Sequence, residues 1–384
     1  MSKAKEILKK NTMLVALVVV ALFFAWKTDG VIFDPQNITN LIAQNGYVVI
    51  LAVGMLMCIL TGGNIDLSVG SVVCLVGAIA GKLIITNKMN IWIAIAICLL
   101  VGGLIGVWQG FWIAYIRIPA FIVTLSGMLL WRGLALIILD GLTLSPFPDE
   151  YKMLFNSYIV DPFGGDLNVM CILVAALACA VYVFIVIRGR ANKAKKGYPM
   201  NSRAADFGKM AVICVVVMLV AYRLAQFQGI PTILVMLAII VGIYAYYTSK
   251  TVNGRYLYAV GGNEKASKLS GVNTNKVLFT AYVNMAFLSA VAALVCVARF
   301  NSAAPTAGTS YEMDAIGSCF IGGASAYGGT GTVAGAIIGA IFMGVLNNGM
   351  SIMGVDANWQ KAVKGLVLLA AVAFDVMSKK KSEA

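Results

Sequence analysis

The sequence predicts an all-α polytopic membrane protein, one transmembrane domain over residues 1–384, with about ten to twelve transmembrane helices. Three observations carry this. Of the 384 residues, 60% are hydrophobic and 12% charged, against about a quarter charged in soluble domains. Apolar runs of roughly 17–25 residues recur along nearly the whole length, enough to cross a hydrocarbon core of about 30 Å. Those runs are too long and too uniformly apolar for barrel strands, which alternate and need only about ten residues, so the spans are helical.

In order, apolar segments fall at 13–26, 41–61, 66–85, 91–115, 120–138, 167–187, 209–225, 231–249, 276–298, 312–326, 332–350 and 361–378. The first follows the basic start MSKAKEILKKN with no small-residue cleavage site, and reads as a signal anchor. It and 312–326 are the short segments that separate ten spans from twelve. With the N terminus cytoplasmic, alternation puts 188–208, 250–275 and the tail after 378 inside. Residues 188–209 carry seven Lys/Arg and 250–276 five, whereas external 139–166 carries five acids and one Lys. That is the bias of the positive-inside rule, with both termini cytoplasmic. The segment 188–208 reads as a basic cytoplasmic loop.

Several function classes drop out. The net charge of +13 is concentrated in loops beside apolar segments, without a folded patch of interleaved aromatics, which argues against nucleic acid. The eight cysteines lie in apolar segments without a CxxC pair and read as small buried hydrophobes. Histidine is absent, which removes the usual general base and the commonest metal ligand, so no catalytic or metal residues are assigned. No GxxxxGK[ST] phosphate loop occurs, so any energy source is another chain or an ion gradient.

GGNIDLSVGS at 62–71 places Asn64, Asp66 and Ser68 among glycines between apolar runs. Broken backbone within a membrane is tolerated where it faces protein or water, and an intramembrane carboxylate is a functional candidate. The alternative is a turn in which Asp66 or Asn64 caps the next helix. Asn45, Gln109, Asn347 and Asn348 are further mid-segment polar groups; with Asn64, Asp66 and Ser68 they form the candidate pathway set, uncharged amides and hydroxyls suiting a neutral polyol. Two small-residue stripes, Gly102/Gly106/Gly110 and Gly331/Gly335/Gly339, read as helix-packing faces. Trp108, Trp112, Trp131 and Trp359 read as an interface belt, and Arg132 as a snorkelling anchor paired with Asp140. Residues 59–81 and 319–340 share a Gly-Gly pair, a polar break and an apolar helix, a hint of internal repetition.

The polar stretch GRYLYAVGGNEKASKLSGV, 254–272, stands out on the basic side. Together with GGNIDLSVGS, RIPAFIVTLSGMLLWRG, IGGASAYGGTGTVAGAIIGA and LNNGMSIMGVDANWQKAVKG, it resembles the successive signature blocks of the ABC-transporter permeases for ribose, galactose and xylose. The extra span and basic loop at 188–230 look more like the xylose and multiple-sugar subgroup. The resemblance implies a vitamin-B12-importer-like, type II-like bundle in the bacterial inner membrane. It implies a permease homodimer, a cytoplasmic ATPase with tandem nucleotide-binding domains that carries ATP and Mg, and an extracytoplasmic sugar-binding protein. This chain would bind no cofactor itself. The coupling helix maps onto Asn263–Leu269 after Gly261 and Gly262, with Gly271 closing the loop; Glu264, Lys265 and Lys268 supply rim charge, Ser267 lies between, and Ala266 and Leu269 form a small apolar face. The reading from a different class is a secondary transporter with broken midplane helices that uses Asp66 for ion coupling.

Overall fold

The computed structural model describes residues 12–198 and 202–383; the basic start before residue 12 lies outside the described residues. Among these, fifteen α-helices are connected without a strand: α1 Thr12–Lys27, α2 Pro35–Leu60, α3 Val69–Gly81, α4 Ile91–Ala114, α5 Ala120–Leu139, α6 Asp149–Phe155, α7 Val169–Lys195, α8 Arg203–Ala225. There follow α9 Thr232–Lys250, α10 Val252–Gly262, α11 Glu264–Leu269, α12 Thr274–Phe300, α13 Tyr311–Ile321, α14 Val333–Ile352 and α15 Ala357–Glu383. Among the described residues, nine helices are long and apolar enough to cross a membrane: α2 to α5, α7 to α9, α12 and α14. The α3 span is completed by a π-helical turn, Lys82–Thr86. α1 is a shorter apolar helix. Caps set several boundaries: the Asn90 side chain accepts from Trp92 N at 2.9 Å, and Asn168 accepts from Cys171 N at 2.9 Å.

α2 and α12 form the centre, and α2 is buried without interruption from Val48 to Leu60. α2 packs on α12, α13 and α14; reciprocally, α12 packs on α2, α3 and α4. α5 covers α3 as α15 covers α13. Residues 35–139 and 274–383 are therefore two four-helix sets that exchange contacts. They run in opposite senses, because Asn275, at the start of α12, meets Arg117 at the end of α4. This is an inverted repeat. Its register differs from the one expected: 59–81 and 319–340 do not correspond but face each other, with Gly62–Gly63 against Ala326–Gly328.

α2 serves as a ruler of about 39 Å at 1.5 Å per residue. At its C-terminal end Gly329 N donates to Leu60 O at 3.0 Å. About half-way along, Tyr47 stacks on Tyr311, the first residue of α13, with ring centroids 4.0 Å apart. The chain between α2 and α3 thus climbs back from the Leu60 end, and the chain between α12 and α13 descends from the other end. The two irregular stretches meet where Gly70 abuts Gly308; a Cβ on either would overlap the other's carbonyl. Gly308 also has φ +72°, so this position needs glycine twice over. The expected segment 312–326 is therefore no span: α13 has 11 residues and is a half-helix.

The expected basic loop at 188–208 is also corrected. α7 stays helical to Lys195 and α8 begins at Arg203, so most of it is helix, with residues 199–201 outside the described residues. Ala, Lys and Arg are strong helix formers, and Arg190 pairs with Asp206 across the hairpin. The hairpin touches the bundle at its far end, where Cys171 and Leu224 pack near Ile38 and Ile42 of α2. In the acidic 139–166 segment, α6 is held by Tyr151, whose hydroxyl donates to Leu294 O at 2.8 Å. The Lys152 ammonium, hydrogen-bonded to Asp149, holds that exposed carboxyl below its ordinary range.

Candidate functional site

The stretch singled out at 254–272 folds into two short helices on the Leu60 end. Thr251 starts α10 by accepting from Gly254 N at 3.0 Å. The Asn263 side chain starts α11 by accepting from Ala266 N at 2.9 Å. α11 ends in a Schellman motif: Val272 N donates to Ser267 O and Gly271 N to Lys268 O, both at 3.0 Å, with Gly271 at φ +85°. Six residues with a cap at each end make a rigid knuckle. Ser267 faces inward, buried; Lys265, Ala266 and Lys268 are exposed, and Leu269 is 90% exposed. Glu264, read as rim charge, is ion-paired: Arg117 reaches it at 2.6 Å while also donating to Thr274 Oγ1 at 3.1 Å. That exposed pair adds little stability and fixes orientation.

The knuckle rests, through α10, on the end of α2 and on the loop after α13. A Cβ at Gly261 would overlap Leu60 O and crowd Gly329 N, so α10 touches both the end of α2 and the 322–332 loop. Tyr258 donates its hydroxyl to Gly331 O at 3.0 Å, and burial raises that phenol above its ordinary value, keeping it a donor. Gly262 is open.

At the first break, Asp66 is buried and its Oδ1 accepts from Ser68 N at 2.8 Å and Ser68 Oγ at 2.7 Å. Gln109, fully buried on α4, completes the network in the amide orientation that satisfies its neighbours. Its NH₂ then donates to Asp66 Oδ2 at 3.3 Å and its oxygen accepts from Trp131 Nε1 at 3.2 Å. Asp66, Ser68 and Gln109 are thus brought together; neither Asp66 nor Asn64 caps α3, whose N-cap position is Ser68, and Asp66 instead closes the turn just before it. Trp131 leaves the interface belt, since it is buried and closes this network; Trp359, 69% exposed, fits an outer position.

The second break carries charge that sequence reasoning missed. Arg132 Nη1 donates to Pro305 O at 3.0 Å and Ala307 O at 2.6 Å, binding the descending stretch instead of Asp140. Asp314, buried on α13, pairs with Lys364 of α15 at 2.9 Å. The available signal was an ionisable residue inside an apolar segment.

The remaining pathway candidates lie elsewhere. Asn64 donates at 3.3 Å to Thr61 Oγ1 near the Leu60 end. Asn45 donates to Ala340 O at 2.7 Å, and Asn348 exchanges amide bonds with Asn37 at 2.9 and 3.0 Å. Asn45, Asn347 and Asn348 border one cavity of about 280 Å³ toward the end of α2 opposite α11. Among the expected stripes, Gly102, Gly106 and Gly110 press α4 onto α12, and Gly335 and Gly339 press α14 onto the end of α13. Gly331 precedes α14, at φ +149°, and belongs to the loop, so the second stripe is two glycines long. No disulfide is present: all eight cysteines are free, and only Cys179 and Cys214 are not fully buried.

Residues 37–372 match the family model described as branched-chain amino acid transport system / permease component. The chain is 36% identical over 370 residues to the xylose transport system permease protein XylH of Escherichia coli (strain K12), covering 96% of this chain and 92% of that one. The XylH of Haemophilus influenzae (strain ATCC 51907 / DSM 11121 / KW20 / Rd) is 36% identical over 382 residues, covering 99% of this chain and all of that one. The ribose import permease protein RbsC of Escherichia coli (strain K12) is 32% identical over 369 residues, covering 96% and 94%. No solved structure matches the chain.

Proposed function

The chain belongs to the transport-system permease-component family, a multi-pass membrane protein, and on that premise we propose that it is the pathway-forming subunit of an ATP-driven importer for a monosaccharide of the xylose, galactose or ribose class. In this reading the α11 end is cytoplasmic, because the basic residues of 188–209 and 250–276 collect there. A separate ATPase with tandem nucleotide-binding domains holds ATP and Mg, a second copy of the chain completes the pathway, and an extracytoplasmic binding protein delivers the sugar.

The observation that carries the reading is α11. A capped six-residue helix presents Ala266 and the 90% exposed Leu269 outward, while α10 before it sits on the end of α2, at the first break, and on the 322–332 loop between α13 and α14. A partner pushing on such a knuckle moves α10, the end of α2 and the 322–332 loop together. That is how nucleotide-driven motion in another chain reaches the membrane interior.

Uptake of labelled xylose and ribose by cells expressing the system tests it. Collapse of the ion gradient with ATP maintained should leave uptake intact, and ATP depletion with the gradient maintained should stop it. The opposite pattern would establish ion coupling and remove the ATPase from the mechanism.

A further inference from the structure

The cavity of about 280 Å³ between α2, the end of α12 and α14 has no assigned role. Its walls bring four amides, Gln44, Asn45, Asn347 and Asn348, together with Tyr47 and Arg299. Two polar atoms there are buried and unpartnered: Arg299 Nε, a donor, and Asn347 Oδ1, an acceptor. A buried polar group without a partner costs about 1–3 kcal/mol, so two of them at one cavity favour polar occupants there, and a ligand that satisfies both can take the place of water.

The chemistry of that occupant can be narrowed. It must accept from Arg299 and donate to Asn347, which one hydroxyl, or two neighbouring ones, does without charge. The nearby Asp314 is already neutralised by Lys364 at 2.9 Å. A zwitterionic amino acid would find a guanidinium for its carboxylate and no free anion for its ammonium. A volume just under the usual range of about 300–1,000 Å³ for ligand pockets suits one sugar ring. Below the cavity the Tyr47–Tyr311 stack closes the way to the meeting of the two breaks.

We infer that this cavity is a monosaccharide-binding site within a single protomer, on the side of the bundle away from α11, with Asn347 and Arg299 reading vicinal hydroxyls. The inference rests on the sugar-permease reading and assigns it a place: a sugar waits above the Tyr47–Tyr311 floor until the breaks move.

Ser351 lies exposed at the cavity's edge and gives a reporter. The full-length protein carries Ser351→Cys, with the two accessible cysteines replaced as Cys179→Ser and Cys214→Ser, in nanodiscs. Labelling by a polar maleimide is timed with xylose, ribose or leucine present. Xylose or ribose should slow labelling at least five-fold and leucine should not. Asn347→Ala and Arg299→Gln should each abolish the protection; Arg299→Gln serves alone if Asn347→Ala does not fold. Absence of sugar protection, protection that survives both substitutions, or protection by leucine would overturn the site. Uptake in cells separates this from the broader reading: sugar uptake without protection sinks only the site, whereas leucine uptake without sugar uptake sinks the sugar assignment itself.

Discussion

The two broken segments do the same topological job and are held in different ways. The first, before α3, is closed by groups within its own repeat: Ser68 and Gln109 saturate Asp66, and Trp131 saturates Gln109. The second, before α13, is held by cations: Arg132 of α5, from the opposite repeat, binds its carbonyls, and Lys364 of α15 neutralises Asp314 at the start of α13. A network wholly inside one packed unit is rigid. Only the second network draws on the opposite repeat, through Arg132, so a shift of α5 against the second repeat bears on it directly.

Lys364→Met should break that contrast most severely. It leaves the Asp314 carboxylate buried without its partner, at a cost of about 3–5 kcal/mol, read as a loss of thermal stability in detergent. Asp314→Asn combined with Lys364→Met should recover most of it, since no buried charge then remains. Arg132→Gln comes next, at about 2–3 kcal/mol for two charge-assisted bonds; enhanced proteolysis or hydrogen exchange confined to 301–310 would locate the effect. Asp66→Leu should cost about 1–2 kcal/mol by stripping Ser68 and Gln109 of their acceptor. Asp66→Asn should cost less than about 1 kcal/mol and retain uptake, because an amide oxygen still accepts from Ser68 N. Loss of uptake in a stably folded Asp66→Asn protein would instead mark this carboxylate as an ion-coupling group.

What was legible in the sequence follows the same division. Spans facing lipid or packed on several sides are uniformly apolar, so 91–115, 120–138 and 231–249 anticipate α4, α5 and α9 within a few residues. The half-helix α13 was not legible, because protein surrounds it and its sequence looks like a short span while Asp314 is averaged away. The cap chemistry of α11 was visible in Asn263 and Gly271, whereas its tie to Arg117 joins residues 147 positions apart and left no local trace. The α7–α8 hairpin was not legible because its Lys and Arg mark a solvated surface as readily in a loop as in the helix their propensity favours.

The proposed coupling of this chain to a partner ATPase runs through α11. Ala266 is exposed on a helix held by caps that the side chain does not touch, so Ala266→Arg should insert and fold normally. A desolvated, unpaired arginine in a docking cleft would cost about 2–4 kcal/mol of association. Co-purification of the ATPase and ATP-driven sugar uptake, measured side by side for Ala266→Arg and Lys268→Ala, should fall at least ten-fold in the first and change little in the second. Equal, mild effects from both would contradict the claim and leave α11 a surface turn with no part in coupling.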